Sequence, residues 1–416
     1  VQLILRPDIE IRSFHETTKA YLGPEKRWPP AIQLHPDGFE FAPEGEVVLK
    51  LTLPNAKFES EPEWYYMVHR SLEAERGLDP SSDLFSPGYF SVDLIGGQTA
   101  TLSAGIPGEI EYTGTDVETG GALKTNDQPV QLADFHEKTI SMRPREALVS
   151  TLDQFIVRRG KLNSVIAGYP WFLDWGRDSL IFVRGMIAGG HKEEARSVLK
   201  LFGQFEKDGT IPNMIHGNNA GNRDTSDAPL WFFVACEDLV TDDNSEEFLE
   251  KVWGKRTLRD ILFSISQALI NGTPNGIRMD PVSGLLFSPA HFTWMDTSYP
   301  AGTPREGYPI EIQALWYRAL KFLSRIDTVN QNQWLEHAQL VGSSISKLFF
   351  MTDKGYFSDC LHATPGTPAN DAHPDDALRP NQLLVLTLNA IEDETITASV
   401  LSACEELLVP GAIRSL

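Results

Sequence analysis

The sequence has little cysteine, and its cysteines form no recognisable pattern. Cys236, Cys360 and Cys404 are odd in number and widely separated, so they indicate neither a disulfide framework nor the paired spacing of a zinc site. A few scattered thiols are typical of a reducing compartment, and we therefore expect a cytoplasmic protein. Cys236 lies in an apolar run and is expected to be a small buried residue of the core.

Long apolar stretches are also missing. No run approaches the roughly 18 apolar residues that suggest a transmembrane helix, so no membrane span is predicted. The chain starts at Val1 without a basic segment or a small-residue cleavage site, which predicts that no signal peptide is present. Because Met is absent from the start, we expect the sequence to be a fragment, or a chain whose true beginning lies elsewhere.

Positive charge is scarce: 36 Lys and Arg stand against 57 Asp and Glu, which gives a net charge of −21. Binding to nucleic acid or to an anionic membrane requires clustered basic residues, so both partners are disfavoured. A neutral substrate such as a glucan is compatible with this charge but is not implied by it. The oligomeric state is left open. Several catalytic patterns are absent too: the Gly-x-Ser-x-Gly elbow, the Walker loop, His-Glu-x-x-His and the dinucleotide-binding glycine pattern.

The chain up to about residue 140 has the pattern of an antiparallel β-sandwich. Short β-branched or alternating runs end at turn residues in Glu46–Leu53, Tyr89–Ile95 and Gln98–Ala104. The irregular stretch Trp64–Gly77 indicates a long crossover or an edge hairpin. Thr113–Gln128 is rich in turn residues and is a plausible linker.

Residues 141–416 have a helical period instead. Apolar spacing predicts helices at about 145–157, 179–189, 192–206, 227–240, 245–270, 309–326, 331–349, 380–390 and 394–408. Two connections, Lys207–Ser226 and Asn271–Pro309, are longer than most structureless loops of compact domains, and such loops are usually functional. Helices that alternate with long loops favour an α/α barrel. A helical repeat array is the alternative, although no fixed period is found.

One stretch, Ala167–Ser179, combines four aromatic side chains with an Arg/Asp pair in front of an apolar helical run. Trp171 and Trp175 would cover the apolar faces of a pyranose, while Arg177 and Asp178 would bind its hydroxyls. The alternative is structural: Asp178 caps the helix and the aromatic rings belong to the core.

The two long loops supply further acids. Asp227 is at the position of a helix cap, and capping can coexist with a role in binding. Asp224 is expected to be a solvated loop acid. No role is assigned to His216. In the second loop, Asp296 follows Trp294 and Met295, an apolar setting that suits a proton donor.

Arg305, Glu306 and Glu311 follow in the same loop and offer further hydrogen-bonding groups. The alternative for Arg305 and Glu306 is a structural network that holds the loop.

These segments, in their order, resemble the amylo-α-1,6-glucosidase family, the glucosidase part of glycogen debranching enzymes. The ordered series carries the resemblance, and its members are Ala167–Phe172, Asp174–Asp178, Ile211–Asn213, Ser226–Phe232, Thr293–Asp296, Thr303–Gly307, Glu311–Tyr317, Arg379–Gln382 and Pro410–Leu416. The segments Glu73–Asp79 and Asp83–Gly88 resemble the N-terminal β-domain of the bacterial members, so that the resemblance covers nearly the whole chain.

The resemblance implies a β-sandwich followed by an (α/α)6 barrel, and hydrolysis of α-1,6-linked glucose stubs of glycogen or limit dextrin with inversion. Asp296 matches the general acid. Glucoamylases have a similar Trp-x-Arg-Asp segment, which implies that Arg177 and Asp178 hold the terminal glucose. Asp227, Arg305 and Glu311 match further pocket positions, and no metal or organic cofactor is implied.

The same resemblance places the general base beyond a segment similar to Ile413–Leu416, so we expect it after Leu416. The sequence predicts about nine helices, whereas the barrel has twelve, so we expect the C-terminal helices to be missing from this chain. Two other functions stay open. One is a non-catalytic glucan-binding protein; the other is a different glycosidase with the same barrel, such as a glucoamylase or a trehalase. A helical scaffold for protein partners is disfavoured, because scaffolds seldom gather Trp, Arg and Asp in long loops.

Overall fold

The chain divides into two compact units, Val1–Ile140 and Ser141–Leu416. The computed structural model describes residues 1–12, 16–43, 48–75, 79–106, 143–168, 172–217, 219–296 and 304–415. The predicted linker Thr113–Gln128 lies outside the described residues.

The first unit is built from antiparallel strands. They span Gln2–Leu5, Ile32–His35, Gly38–Phe41, Leu49–Thr52, Lys57–His69, Ser81–Asp93 and Ser103–Gly105. Two short α-helices, Pro24–Arg27 and Ser71–Glu75, and two 3-10 turns, Ala20–Leu22 and Pro29–Ala31, connect them.

These strands form two sheets with a shared aromatic core. In one sheet the central strand Ser81–Asp93 pairs with Gln2–Leu5 on one side and with Lys57–His69 on the other. In the other sheet the remaining four strands pair in the order in which they occur along the chain. Phe39 of the second sheet lies 6.2 Å from Phe90 of the first, measured between ring centroids. Antiparallel strands are therefore present as predicted, although only the last two residues of the run Gln98–Ala104 lie in a strand.

One local prediction for this unit is confirmed in one of its two forms. Trp64–Gly77 was expected to be a crossover or an edge hairpin, and Lys57–His69 is an edge strand that pairs antiparallel with the next strand, Ser81–Asp93; a short helix lies between the two strands. The pattern was irregular because the pairing with the neighbouring strand shifts register between Ser60 and Glu63 and again between Tyr65 and Val68. Such bulges break the alternation of side chains along a strand.

The described residues of the second unit are mainly helical. Its α-helices span Pro144–Leu152, Gly176–Gly189, Lys192–Gln204, Asp227–Asp243, Leu258–Asn271, Ile310–Ile326, Gln331–Ser344, Leu383–Thr387 and Glu394–Cys404. A π-helical turn, Ile345–Phe349, extends one of them, and 3-10 turns occur at Glu247–Glu250, Ala369–Asp371, Pro380–Gln382 and Glu405–Leu407. Within the described residues, every helix is too short or too polar to cross a bilayer.

Short antiparallel ladders lie in the connections between these helices. They pair Ile156–Arg159 with Leu162–Val165, Asp174–Trp175 with Met214–Ile215, Val252–Trp253 with Arg256–Thr257, Arg278–Met279 with Leu286–Phe287, Phe350–Met351 with Tyr356–Phe357, and Leu408–Val409 with Ala412–Ile413. A three-stranded ladder joins Gly307–Pro309, Cys360–His362 and His373–Pro374. The two long loops are therefore ordered by backbone pairing in the parts that the structure describes.

Two of the predicted helices were too long. The run at 245–270 contains a hairpin, and its α-helix begins only at Leu258, where Thr257 and Asp260 form a reciprocal capping box. The run at 145–157 ends at Leu152, and Ile156 already belongs to a strand. Apolar spacing alone did not reveal these breaks, because the hairpin residues are also apolar at helical intervals.

The helix Asp227–Asp243 occupies the middle of the second unit. It packs against Gly176–Gly189 and against Ile310–Ile326, and thirteen of its seventeen residues are buried. Buried Cys236 lies on this helix, as the sequence predicted. Because the helix is apolar on nearly all sides, it forms one core with its two neighbours. This packing holds the first turn of Asp227–Asp243 beside the first turn of Gly176–Gly189.

Candidate active site

The site begins where the strand Asp174–Trp175 turns directly into the helix Gly176–Gly189. The strand pairs with Met214–Ile215, and the amide of Gly176 donates a hydrogen bond of 2.8 Å to the carbonyl of Asn213. A Cβ atom at Gly176 would lie 2.4 Å from the carbonyl oxygen of Pro212, so only glycine fits at this close approach. Arg177 and Asp178 are consequently held in the first helical turn, at a fixed distance from the loop of Asn213.

Three carboxylates from separate parts of the chain surround the guanidinium of Arg177. Nη1 lies 3.4 Å from Oδ2 of Asp227, Nη2 lies 3.5 Å from Oδ2 of Asp296, and Nε lies 3.7 Å from Oδ2 of Asp178. Burial would lower the pKa of Arg177, but Asp227, Asp178 and Asp296 together raise it above its ordinary value. The structure therefore brings together four of the residues predicted from the sequence.

Asp227 is the deepest of these acids. It is the first residue of the helix Asp227–Asp243 and is 1% exposed. Thr225 donates a hydrogen bond of 2.7 Å to its Oδ1. Burial raises the pKa of Asp227, while Arg177 and the Thr225 hydroxyl oppose that rise. Asp227 is thus both the first residue of its helix and a partner of Arg177.

The aromatic and apolar neighbours of Asp296 in the sequence suggested a buried carboxyl group, but Asp296 is not buried among aromatic rings. Its side chain is 33% exposed, and it lies beside a cavity. Met295 is buried, but Trp294 is turned outward, and its Nε1 donates a hydrogen bond of 2.9 Å to Oδ1 of Asn381. The carboxyl group can therefore reach both Arg177 and a ligand.

A buried network holds the turn in front of Asp296. Arg305, which is fully buried, donates from Nη1 to Thr293 Oγ1 at 3.0 Å and from Nε to Asp359 Oδ2 at 2.8 Å. It also forms a two-pronged pair with Glu311. Asn381 donates to the other oxygen of Asp359 at 2.7 Å. The network fixes Thr293–Met295, and with it the backbone that carries Asp296.

Arg305 and Glu311 were predicted to contact a substrate, yet both are enclosed in this network. Burial would lower the pKa of Arg305, but Glu311 and Asp359 raise it strongly, so the guanidinium stays charged. Their position favours the alternative weighed for Arg305, in which it holds the loop, and extends that role to Glu311. Any contact of these two residues with a substrate stays a prediction.

A cavity of about 360 Å³ adjoins the cluster around Arg177. Two aromatic rings, Trp175 and Phe292, line it, and small-molecule sites typically measure roughly 300–1,000 Å³. Its other lining residues are Asn213, Asp224, Ala290, His291 and Asp296. Trp171 lies outside the described residues. Among the described residues, no cluster of His, Cys, Asp and Glu could hold a metal ion.

Sequence reasoning missed several of these residues. Asp224 was taken for a solvated acid, and it is exposed, but it lines the cavity. Asn213 and Asn381 lie in segments that carried the family resemblance, although neither was singled out. No sequence signal marked Asp359, because its importance arises only from contacts with Arg305, Arg379 and Asn381.

Carboxylates gathered around an arginine, beside a cavity with aromatic walls, are an arrangement suited to binding a sugar. The chain belongs to the amylo-alpha-1,6-glucosidase family, whose model matches residues 150–416. Residues 1–101 match the model described as the glycogen debranching enzyme N terminal. The family resemblance seen in the sequence is thereby confirmed.

One curated relative is the glycogen debranching enzyme of Saccharomyces cerevisiae, which is 24% identical over 345 residues. The match covers 61% of this chain and 22% of the yeast protein, so the chain spans about a fifth of the length of that relative.

Among solved structures, a bacterial glucoamylase complexed with acarbose matches with a TM-score of 0.51 and 14% identity, over 89% of this chain and 57% of that chain. This match supports a glucoamylase-like fold, in agreement with the predicted combination of helices and antiparallel sheets. A rhamnosidase from Bacillus sp. GL1 matches with a TM-score of 0.48 and 13% identity, over 89% of this chain and 38% of that chain.

Proposed function

We propose that this chain carries the glucosidase site of a debranching enzyme, which removes α-1,6-linked glucose stubs from glycogen or limit dextrin with inversion. The observation that carries the proposal is the convergence of Asp178, Asp227 and Asp296 on Arg177, beside the cavity lined by Trp175. In this proposal the first unit is a β-sandwich, the second belongs to an (α/α)6 toroid, and the substrate is a neutral glucan.

Arg177 is suited to binding sugar hydroxyls because its contacts leave donors available. A guanidinium has five N–H groups, and the only hydrogen bond of this side chain within the described residues is the one of 3.4 Å to Asp227. That distance is longer than the 2.7–3.2 Å usual for N–H···O bonds, as are the contacts to Asp178 and Asp296. A terminal glucose would accept from the free N–H groups and donate to Asp178.

Asp296 would be the general acid. Inverting glycosidases place a protonated carboxyl against the glycosidic oxygen, and a second, ionised carboxylate about 6.5–9.5 Å away activates water. Asp296 meets the first requirement in position: it is partly exposed, it lines the cavity, and it lies next to the group that would hold the terminal sugar. Trp175 and Trp294 would provide apolar faces for the sugar rings.

Glucose release separates this proposal from its alternatives. The full-length protein to which this chain belongs would be incubated with limit dextrin, isomaltose, maltose and trehalose, and released glucose would be measured together with binding by calorimetry. We expect release from the α-1,6-linked substrates in preference to the others. Binding without release would favour a glucan-binding protein, and preferred release from maltose or trehalose would favour another glycosidase.

A further inference from the structure

Three polar residues of the cavity, Asn213, Asp224 and His291, have hydrogen-bonding atoms without a partner. Asn213 is 7% exposed, and neither its Oδ1 nor Nδ1 of His291 has a partner within the described part of the chain, although both atoms are shielded from solvent. A buried polar atom without a partner costs roughly 1–3 kcal/mol, so such atoms require a purpose. The carboxylate of Asp224 differs from these two atoms, because it is exposed at the cavity wall and carries no such cost.

The backbone holds two of these residues firmly in place. The amide of Asn213 donates to the carbonyl of Asn222 at 2.9 Å, and its carbonyl accepts from Gly176. His291 has a φ of 63°, in the left-handed region, and its amide donates to the carbonyl of Pro304 at 2.9 Å. Non-glycine residues in this region are uncommon, and such strain is concentrated at functional sites. The side chains are thus fixed beside the cavity at a cost in stability.

The chemistry of the unpartnered atoms selects the ligand. An amide oxygen and a carboxylate accept hydrogen bonds, and the imidazole nitrogen does so in one tautomer. Asp224 and Asp296 in the same wall disfavour an anion. A neutral molecule that donates several hydrogen bonds and has apolar faces for Trp175 and Phe292 satisfies all of these groups, and a sugar has both properties.

Asp296 determines which sugar this is. Its carboxylate contacts Arg177 and also lines the cavity, whereas Arg177, Asp178 and Asp227 are not among the lining residues. A general acid must reach the oxygen between two sugars. If the Arg177 cluster holds the terminal glucose, the sugar on the other side of that oxygen falls in the cavity.

We infer that Asn213, Asp224 and His291 bind the sugar residue from which the terminal glucose is released, and that they set the preference for a glucan leaving group. This inference rests on the proposed function. It assigns a purpose to the unpartnered atoms, since the hydroxyls of that sugar would donate to them.

The test compares ligands that differ only in this second sugar. Calorimetry would measure glucose and isomaltose binding to the wild-type chain and to its Asn213→Ala and Asp224→Ala variants. We expect isomaltose to bind the wild type more tightly than glucose. Each variant should lose about 3–30-fold in isomaltose affinity, with glucose affinity unchanged within about twofold. Asp353→Ala, which removes an exposed acid that does not line the cavity, is the matched control.

A kinetic measurement adds a second readout. α-Glucosyl fluoride has a leaving group without hydroxyls, so its hydrolysis by the variants should stay within about threefold of the wild type while isomaltose hydrolysis falls about 3–30-fold. Asn213→Ala should also leave the melting temperature unchanged or raise it, because Oδ1 has no partner to lose. His291→Gly, which tolerates a positive φ and removes the imidazole, should lose isomaltose affinity as Asn213→Ala does.

The outcomes separate the two ideas. Equal wild-type affinity for glucose and isomaltose, or an equal loss for both ligands in the variants, would overturn the inference while a glucosidase site could persist. Binding of both sugars without glucose release would overturn the proposed function and leave the second sugar site standing. A wild-type chain that binds neither sugar contradicts both.

Discussion

The guanidinium of Arg177 lies 3.5 Å from the carboxylate of Asp296, although Arg177 is in the first turn of a helix and Asp296 is in a loop more than a hundred residues later. Arg177 is fixed by the first turn of its helix, and Asp296 by the buried network around Arg305. Because each residue is held by its own support, the fold sets the distance between Arg177 and Asp296. Mutations at either end should therefore separate binding from catalysis.

Replacement of the acid tests its role directly. Asp296→Asn should lower glucose release from isomaltose by about 10²–10⁴-fold, because the amide cannot donate a proton to the leaving oxygen. Isomaltose binding should persist, since the side chain keeps its size and Arg177 is untouched. Initial rates and calorimetry on the same preparation measure both quantities. Near-normal turnover would remove Asp296 from the acid role, and Asp353→Asn serves as the control.

Arg177 should contribute to stability as well as to binding. Arg177→Ala leaves the buried carboxylate of Asp227 without its cation, and we expect a loss of about 1–3 kcal/mol in the free energy of unfolding. The double variant Arg177→Ala with Asp227→Asn should recover much of that loss, because the remaining buried group is neutral. Urea unfolding measures both changes.

Measurement of glucose binding should separate the contribution of Arg177 to sugar binding from its contribution to stability. It should stay weak in the single and in the double variant, since the donors for the sugar hydroxyls are gone in both. Arg145→Ala, at an exposed position, is the matched control. A double variant no more stable than Arg177→Ala would contradict the contact between Arg177 and Asp227.

Asn381 should act on the acid through the turn that it holds. Asn381→Ala removes the acceptor for Trp294 Nε1 and the donor to Asp359, which frees the backbone in front of Asp296. A misplacement of about 1 Å can cost about 10²-fold in rate, so we expect kcat to fall by about 10–100-fold while KM changes by less than about threefold. Steady-state kinetics on isomaltose measure kcat and KM separately.

A purely structural loss at Asn381 would instead lower the active fraction without changing the pH profile. An altered pH profile of kcat in the folded variant is therefore the distinguishing result. Asn332→Ala, at an exposed helical position, is the control and should match the wild type in both respects. Unchanged kcat in Asn381→Ala would show that the network does not position Asp296.

The charged residues that the structure brings together around Arg177 could be singled out from the sequence because each stands at the start of a helix or in a long loop. Arg177, Asp178 and Asp227 all lie in first helical turns, where the pattern of the helix shows them. Asp359 and Thr225 could not be predicted, because their importance depends on partners that only the tertiary structure supplies. The positive φ of His291 could not be predicted either, because a single sequence does not reveal the backbone conformation of a non-glycine residue.

The errors in secondary structure have a similar origin. The hairpin Val252–Thr257 turns at Gly254, whose φ is 74°, and this glycine, between the apolar pair Val252–Trp253 and the polar run Lys255–Thr257, was a signal that outweighed the helical spacing. Register shifts hid the strand Lys57–His69. In both places local backbone geometry, rather than the apolar pattern, decided the structure.

The pair His362–Asp375 predicts how stability depends on pH. Nε2 of His362 lies 3.5 Å from Oδ2 of Asp375, which also accepts from Arg379, and the strand neighbour of His362 is His373. The hydrogen bond to Asp375 raises the pKa of His362 above its ordinary value of 6.5, and burial only partly opposes it. A raised pKa in the folded state means that the stabilisation is complete below the unfolded value and is lost as pH rises through the folded value.

His362→Gln should therefore lower the melting temperature most at about pH 5.5 and progressively less toward about pH 8.5. Asp375 still accepts hydrogen bonds from the amide of Ala377 and from Arg379 in the variant, so the change in melting temperature should follow the protonation of the histidine. Thermal unfolding of the wild type and the variant across this range measures the difference. Because the side chain is 40% exposed, added salt should reduce it. A difference that stays constant with pH would show that His362 contributes through packing, since packing does not depend on its protonation.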